Sequence, residues 1–151
     1  MKRPRVLVVD DEQAIRDLLR DFFTREGYEV VAAASGKEGI ELAREKSPDV
    51  ILLDVSMPGI DGIETCKILK MDEKAWTIPV IIMSAFGHKG LEGKDVGAED
   101  VVVKPFTLDE VLLRVKSIIA VRHLTDPVER LIVYMEELDK KQPKANDGIS
   151  R

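Results

Sequence analysis

The sequence predicts an α/β domain built on an open, parallel, five-stranded sheet. Short β-branched apolar runs alternate five times with longer segments of helical periodicity. Each run is nearly continuous instead of alternating with polar residues, as in strands buried on both faces of a parallel sheet. Size agrees, because 151 residues at 44% hydrophobic content can bury one core and carry a short appendage, but cannot hold two full domains.

Val6 to Val9 reads as the first strand. Glu12 to Glu26 reads as the first helix, with Ile15, Leu18, Leu19 and Phe22 inward and Gly27 as its stop. Glu29 to Ala33 is the second strand. Ser35 is placed to cap a helix through Lys46 that packs with Ile40, Leu42 and Ala43, and Ser47-Pro48 ends it. The third strand, Val50 to Leu53, is followed by a loop rich in breakers (Met57-Pro58-Gly59, Asp61-Gly62) and by a helix over about Ile63 to Met71 that carries Cys66. Pro79 introduces the fourth strand, Val80 to Met83. Gly87, Gly90, Gly93 and Gly97 then interrupt the interval before the fifth strand, Val101 to Val103, so the fourth helix is expected to be short or mobile.

Leu108 to about Arg122 is a fifth, amphipathic helix with Val111, Leu112, Val115, Ile118 and Ile119 on one side. Thr125-Asp126-Pro127 then opens a sixth, on which Val128, Leu131, Ile132, Met135 and Leu138 form an apolar stripe. The expected organisation is a main domain at residues 1–123, an amphipathic helix at 124–142 and a polar, disordered tail at 143–151. A lone helix of this length is marginal in water, so the stripe needs a cover: the domain itself, a second copy, or a following segment.

Ligands of an open parallel sheet sit at the carboxyl ends of its strands. Those ends carry Asp10-Asp11, Asp54, Ser84 and Lys104-Pro105. Any one of them alone reads as a cap or loop residue, as Asp11 and Ser84 would by themselves. Together they mean more. Carboxylates gathered in one cleft repel by about 4 kcal/mol per pair at 4 Å and an effective dielectric near 20, which a bound cation relieves. Hard oxygen donors suit Mg²⁺, with Mn²⁺ as an alternative, and the absence of a His or Cys cluster argues against zinc. A carboxylate can attack phosphorus, and Lys104 adds a compact positive charge, so the constellation suits phosphoryl transfer to Asp54.

Charge and composition exclude other classes. Residues 122–151 hold six Lys/Arg and six Asp/Glu, so the net charge of -5 lies wholly in residues 1–121, with 17 positive and 22 negative side chains. This is not the basic footprint of a nucleic-acid binder, and direct DNA binding is not expected. No apolar run approaches the eighteen or so residues of a membrane span. One cysteine and no secretory leader imply a reducing cytoplasm.

The segments Val8-Val9-Asp10-Asp11-Glu12, Leu52-Leu53-Asp54-Val55-Ser56-Met57-Pro58-Gly59-Ile60-Asp61-Gly62, Ser84-Ala85 and Val103-Lys104-Pro105-Phe106 resemble the receiver domain of bacterial two-component response regulators, over about residues 4 to 121. The resemblance implies a flavodoxin-like sheet of order 2-1-3-4-5 and phosphoryl transfer from a phosphohistidine of a sensor kinase or phosphotransfer protein. It implies Asp54 as phosphoacceptor, Asp11 as a direct metal ligand, Asp10 as a ligand through water and the Ser56 carbonyl as a further ligand. Ser84 and Lys104 would contact phosphoryl oxygens beside Ala85, and the peptide before Pro105 would be cis.

The chain also departs from the family pattern. Val101 stands three residues before the lysine, where an aromatic switch is usual, and the small Ser56 leaves room for an attacking water. The glycine-rich interval falls in the face of fourth helix, fifth strand and fifth helix that many receivers use for output. The expected output is contact with a downstream protein or effector domain, and a homodimer could form through that face or the sixth helix. Alternatives are a fragment of a larger regulator with a DNA-binding or enzymatic effector after Arg151, and a scaffold that never takes phosphate. A phosphatase of the haloacid dehalogenase type wants a second Asp two residues after the nucleophile, whereas Asp54 is followed by Val55-Ser56 and Asp10 by Asp11-Glu12. The chain is therefore expected not to be an enzyme, autodephosphorylation apart.

Overall fold

The computed structural model describes residues 2–85, 95–124 and 126–141. Five strands, β1 (Arg5–Val9), β2 (Glu29–Ala33), β3 (Val50–Asp54), β4 (Val80–Ser84) and β5 (Asp100–Val103), form one all-parallel sheet of order β2-β1-β3-β4-β5. Five helices are described: α1 (Gln13–Arg25), α2 (Gly36–Lys46), α3 (Gly62–Lys70), α4 (Leu108–Ala120) and α5 (Pro127–Lys141). The last two are the fifth and sixth helices expected from the sequence. The interval expected to hold the fourth falls largely outside the described residues, as do Thr125 and the 143–151 tail.

Alternate residues of each strand point to opposite faces and build two cores. Val6, Val8, Leu52, Ile81 and Met83 pack with Leu19 and Phe23 of α1 and Val111, Val115 and Ile118 of α4. Leu7, Val9, Ile51, Leu53 and Ile82 pack with Ala43 of α2 and with Cys66 and Leu69 of α3. Cys66 is fully buried, and burial pushes its thiol up to about 11.

Ser35, Asp61 and Thr107 each accept a hydrogen bond from the backbone N–H three residues on, capping α2, α3 and α4. On α1 the structure corrects the expected inward face: Leu18 is 45% exposed, and Phe23 is buried edge-to-face against Phe22 and Tyr28. The packed line runs Ile15, Leu19, Phe22, Phe23, with Leu19 and Phe23 buried and Ile15 and Phe22 partly so, which follows the helical period, whereas Leu18 lies about 100° away from Leu19 around the axis.

On α5 the structure narrows the alternatives left open for the stripe, because the domain itself leaves most of it uncovered. Of its expected stripe, Val128, Leu131, Ile132 and Met135 are about half or more exposed, and the buried residue is Tyr134. Tyr134 joins the α1–α4 core beside Val133 and Leu138, and its hydroxyl donates to Asp100 Oδ2. Asp100, at the first position of β5, also accepts from the Arg114 guanidinium and from the Val101 N–H. Burial first, and the Asp100 charge second, push the Tyr134 phenol well above its ordinary range, so it remains a donor. The helix entry is closed by Asp126, whose carboxylate accepts from the Val128 N–H. Tyr134→Phe is expected to lower stability by about 2 kcal/mol, the scale of a buried hydrogen bond to a charged acceptor, read as a fall in the urea midpoint with unchanged slope.

Candidate functional site

The apolar strands deliver polar residues to one end of the sheet, because each strand is stapled by its ladder up to the residue where the pattern breaks. Asp10 follows β1, and its N–H still donates to the Ala33 carbonyl at 3.1 Å. Asp54 is the last residue of β3, paired with Met83, and Ser84 ends β4 opposite Val103. Asp10, Asp54 and Ser84 are buried; Asp11, Ser56 and Ala85 are exposed at the mouth. The N–H of Lys104 donates to the Ser84 carbonyl at 2.8 Å, and the Lys104–Pro105 peptide is cis.

Lys104 Nζ stands 2.8 Å from Asp54 Oδ1 and 3.6 Å from Asp10 Oδ2, so one ammonium bridges two buried carboxylates. Carboxylate oxygens of Asp10, Asp11 and Asp54 all lie within 4.8 Å of one another. Burial pushes the carboxyls of both Asp10 and Asp54 above their ordinary value. The Glu12 N–H opposes this at Asp10, and the Lys104 hydrogen bond and charge oppose it at Asp54. Burial also works against the Lys104 charge, but the hydrogen bond to Asp54 and the charges of both aspartates outweigh it and raise its pKa.

Two contacts that the sequence reading did not foresee orient Asp10. The Glu12 N–H donates to Asp10 Oδ1 at 2.9 Å, and the Arg16 guanidinium donates to the Asp10 carbonyl at 2.7 Å. Their signal in the sequence is slight, since any residue supplies an N–H and Arg16 reads as an exposed helical position. Asp10 Oδ2 is buried without a hydrogen-bond partner. An ionised oxygen in that condition is costly to bury, and a divalent cation among the three carboxylates is a suitable partner for it. The donor set is all oxygen, which fits Mg²⁺ or Mn²⁺.

The floor of the cleft is held from the far side by α3. The Gly62 N–H donates to the Val55 carbonyl at 2.9 Å, and a Cβ on Gly62 would stand 2.1 Å from the Asp54 carbonyl oxygen. Thr65, buried on the next turn, donates to the Asp61 carbonyl at 2.7 Å. Val101 is half-buried in β5 among the α2–α3 core residues, and Val103 is exposed.

Residues 6–116 match the response regulator receiver domain family. The chain is 36% identical over 139 residues to the DNA-binding dual master transcriptional regulator RpaA of Synechocystis, a match covering 91% of this chain and 56% of RpaA. It thus spans little more than half the length of that relative. Among solved structures, the chemotaxis response regulator CheY4 of Vibrio cholerae is 36% identical with a TM-score of 0.70, covering 76% of this chain and 99% of that one. The receiver domain of a Francisella response regulator is 33% identical with a TM-score of 0.70, covering 89% of this chain and 98% of that one. On the parallel 2-1-3-4-5 sheet and this similarity together, the chain belongs to the response regulator receiver family of two-component signalling.

Proposed function

We propose that the protein accepts a phosphoryl group on Asp54 from a phosphohistidine of a sensor kinase or phosphotransfer protein, and that the modified domain engages a downstream protein or effector domain. The observation that carries this is the bridge from Lys104 to Asp54 and Asp10 above three converging carboxylates. An Asp54 oxygen forms the new bond to phosphorus as the bond from phosphorus to the imidazole nitrogen breaks, so the phosphoryl group moves without net oxidation. Lys104, already at hydrogen-bond distance, neutralises a phosphoryl oxygen as the Asp54 charge is spent, and the Ser84 hydroxyl binds another. Asp10, Asp11, Asp54 and the Ser56 carbonyl would hold Mg²⁺. When bound, that ion stabilises the charge gathered on the phosphoryl oxygens.

The chain acts as a switch in the cytoplasm and not as a multiple-turnover enzyme, a reading supported by the lack of a second carboxylate two residues after Asp54. A second reading is that it is the receiver part of a longer regulator, favoured by its 56% coverage of RpaA, which is DNA-binding. The acidic charge of residues 1–121 then assigns DNA contact to segments other than these. Intact mass after incubation with acetyl phosphate tests the first reading. A single phosphoryl adduct is expected, mapped to the peptide containing Asp54, formed when Mg²⁺ is present and not formed when EDTA is added beforehand. An adduct elsewhere, or one indifferent to Mg²⁺, would refute it.

A further inference from the structure

The amino-terminal ends of β4 and β5 lie opposite the phosphoacceptor cleft, and a cavity of about 480 Å³ opens there between α5 and the body of the domain. Its apolar walls include Ala98, Ile118 and Val121, with Leu131 and Trp76 exposed at the rim. Two cations line it. Lys70 is satisfied by Glu99 at 2.9 Å and by the Ile78 carbonyl at 2.9 Å. Arg130 instead spends Nε on the Leu124 carbonyl at 3.0 Å and one terminal nitrogen, Nη2, on the Arg122 carbonyl at 2.8 Å. Among the described residues Arg130 has no carboxylate partner, and Nη1 makes no hydrogen bond.

We propose that this cavity binds a hydrophobic carboxylate, with its hydrocarbon part between Trp76 and Leu131 and its carboxylate on Arg130. The volume falls within the range of small-molecule sites, about 300 to 1,000 Å³, which pair apolar walls with few polar groups. An already positioned guanidinium is the group best suited to a carboxylate, through charge-assisted hydrogen bonds. The walls take in only Leu131 of the exposed α5 stripe, so the occupant is matched to the cavity and not to the helix face.

Trp76 is the only tryptophan, so its emission reports occupancy. Titration of the full chain with decanoate is expected to give a saturable blue shift, at lower concentration than decanol requires. Arg130→Gln should weaken decanoate by about tenfold and leave decanol unchanged. Ala98→Leu, which fills the cavity from its floor, should abolish both responses while circular dichroism shows the helices retained. Equal binding of decanoate and decanol by the parent protein would overturn the proposal without recourse to a variant. So would equal decanoate binding by all three proteins, which marks adsorption to the exposed stripe. A dimer in sedimentation whose Trp76 emission is already blue and indifferent to decanoate would assign the cavity to a second copy and likewise overturn it.

Discussion

An Asp54→Asn protein is expected to take no phosphoryl group from acetyl phosphate and, in metal-free buffer at neutral pH, to be about 1 kcal/mol more stable than the parent, a gain typical of relieving strain kept for function. The loss follows from the nucleophile: an amide oxygen offers no anionic lone pair to phosphorus. The gain follows from burial. Asp54 is 4% exposed, faces Asp10 across Lys104, and is pushed above the ordinary carboxylate range first by desolvation. A folded-state value raised above the unfolded one means that the group's contribution to stability is present at low pH and is lost as pH rises through the folded value. Asparagine carries no charge to desolvate and leaves Lys104 to Asp10 alone. The advantage of the variant should therefore be full at pH 7.5 and fade below about pH 4, where aspartate is protonated in both states. Urea midpoints at the two pH values check it. A variant less stable than the parent at pH 7.5 would show that the Lys104–Asp54 pair outweighs the cost of burying it.

The cleft was legible in the sequence because the apolar runs of β1, β3, β4 and β5 end abruptly in an acid, serine or lysine, and a parallel sheet puts all such ends on one side. Sheet order was not legible from periodicity, since a β-α unit can add to either edge; the receiver resemblance supplied it, and the strand pairing agrees. The docked face of α5 was not legible, for a physical reason. Two stripes of the same period run along it, one of Val128, Leu131, Ile132 and Met135, the other of Arg130, Val133 and Tyr134, and Leu138, counted with the first, packs with the second. Apolar content favours the first. The docked face is nevertheless the second, because one tyrosine hydroxyl reaches a buried carboxylate on β5. Asp100 was hidden in turn by its place just before the run Val101 to Val103, where an acid reads as a loop residue.

Gly62 was misread in the same way, and its replacement should have the largest effect on stability. Asp61-Gly62 looks like a turn, yet Asp61 caps α3, and Gly62 is the first residue of that helix, pressed against the end of β3. A Cβ there would lie 2.1 Å from the Asp54 carbonyl oxygen and 2.7 Å from the Val55 Cα, both backbone atoms that no rotamer change can move aside. To admit it, α3 must retreat from β3, breaking the 2.9 Å bond from the Gly62 N–H to Val55 and opening the core around Cys66 and Leu69. Gly62→Ala is therefore expected to cost about 3 kcal/mol, the upper end for overpacking, or roughly 10 °C in Tm for a chain of this size. Gly59→Ala is the control. That residue holds φ at +79° with nothing within 4 Å of its missing Cβ, so only backbone strain of about 1 kcal/mol is expected. Because the retreat displaces the strand end that bears Asp54, Gly62→Ala should also slow phosphoryl uptake, whereas Gly59→Ala leaves α3 seated. Equal stability losses in the two variants, read from thermal and urea unfolding, would show that the contact between α3 and the end of β3 is looser than 2.1 Å implies.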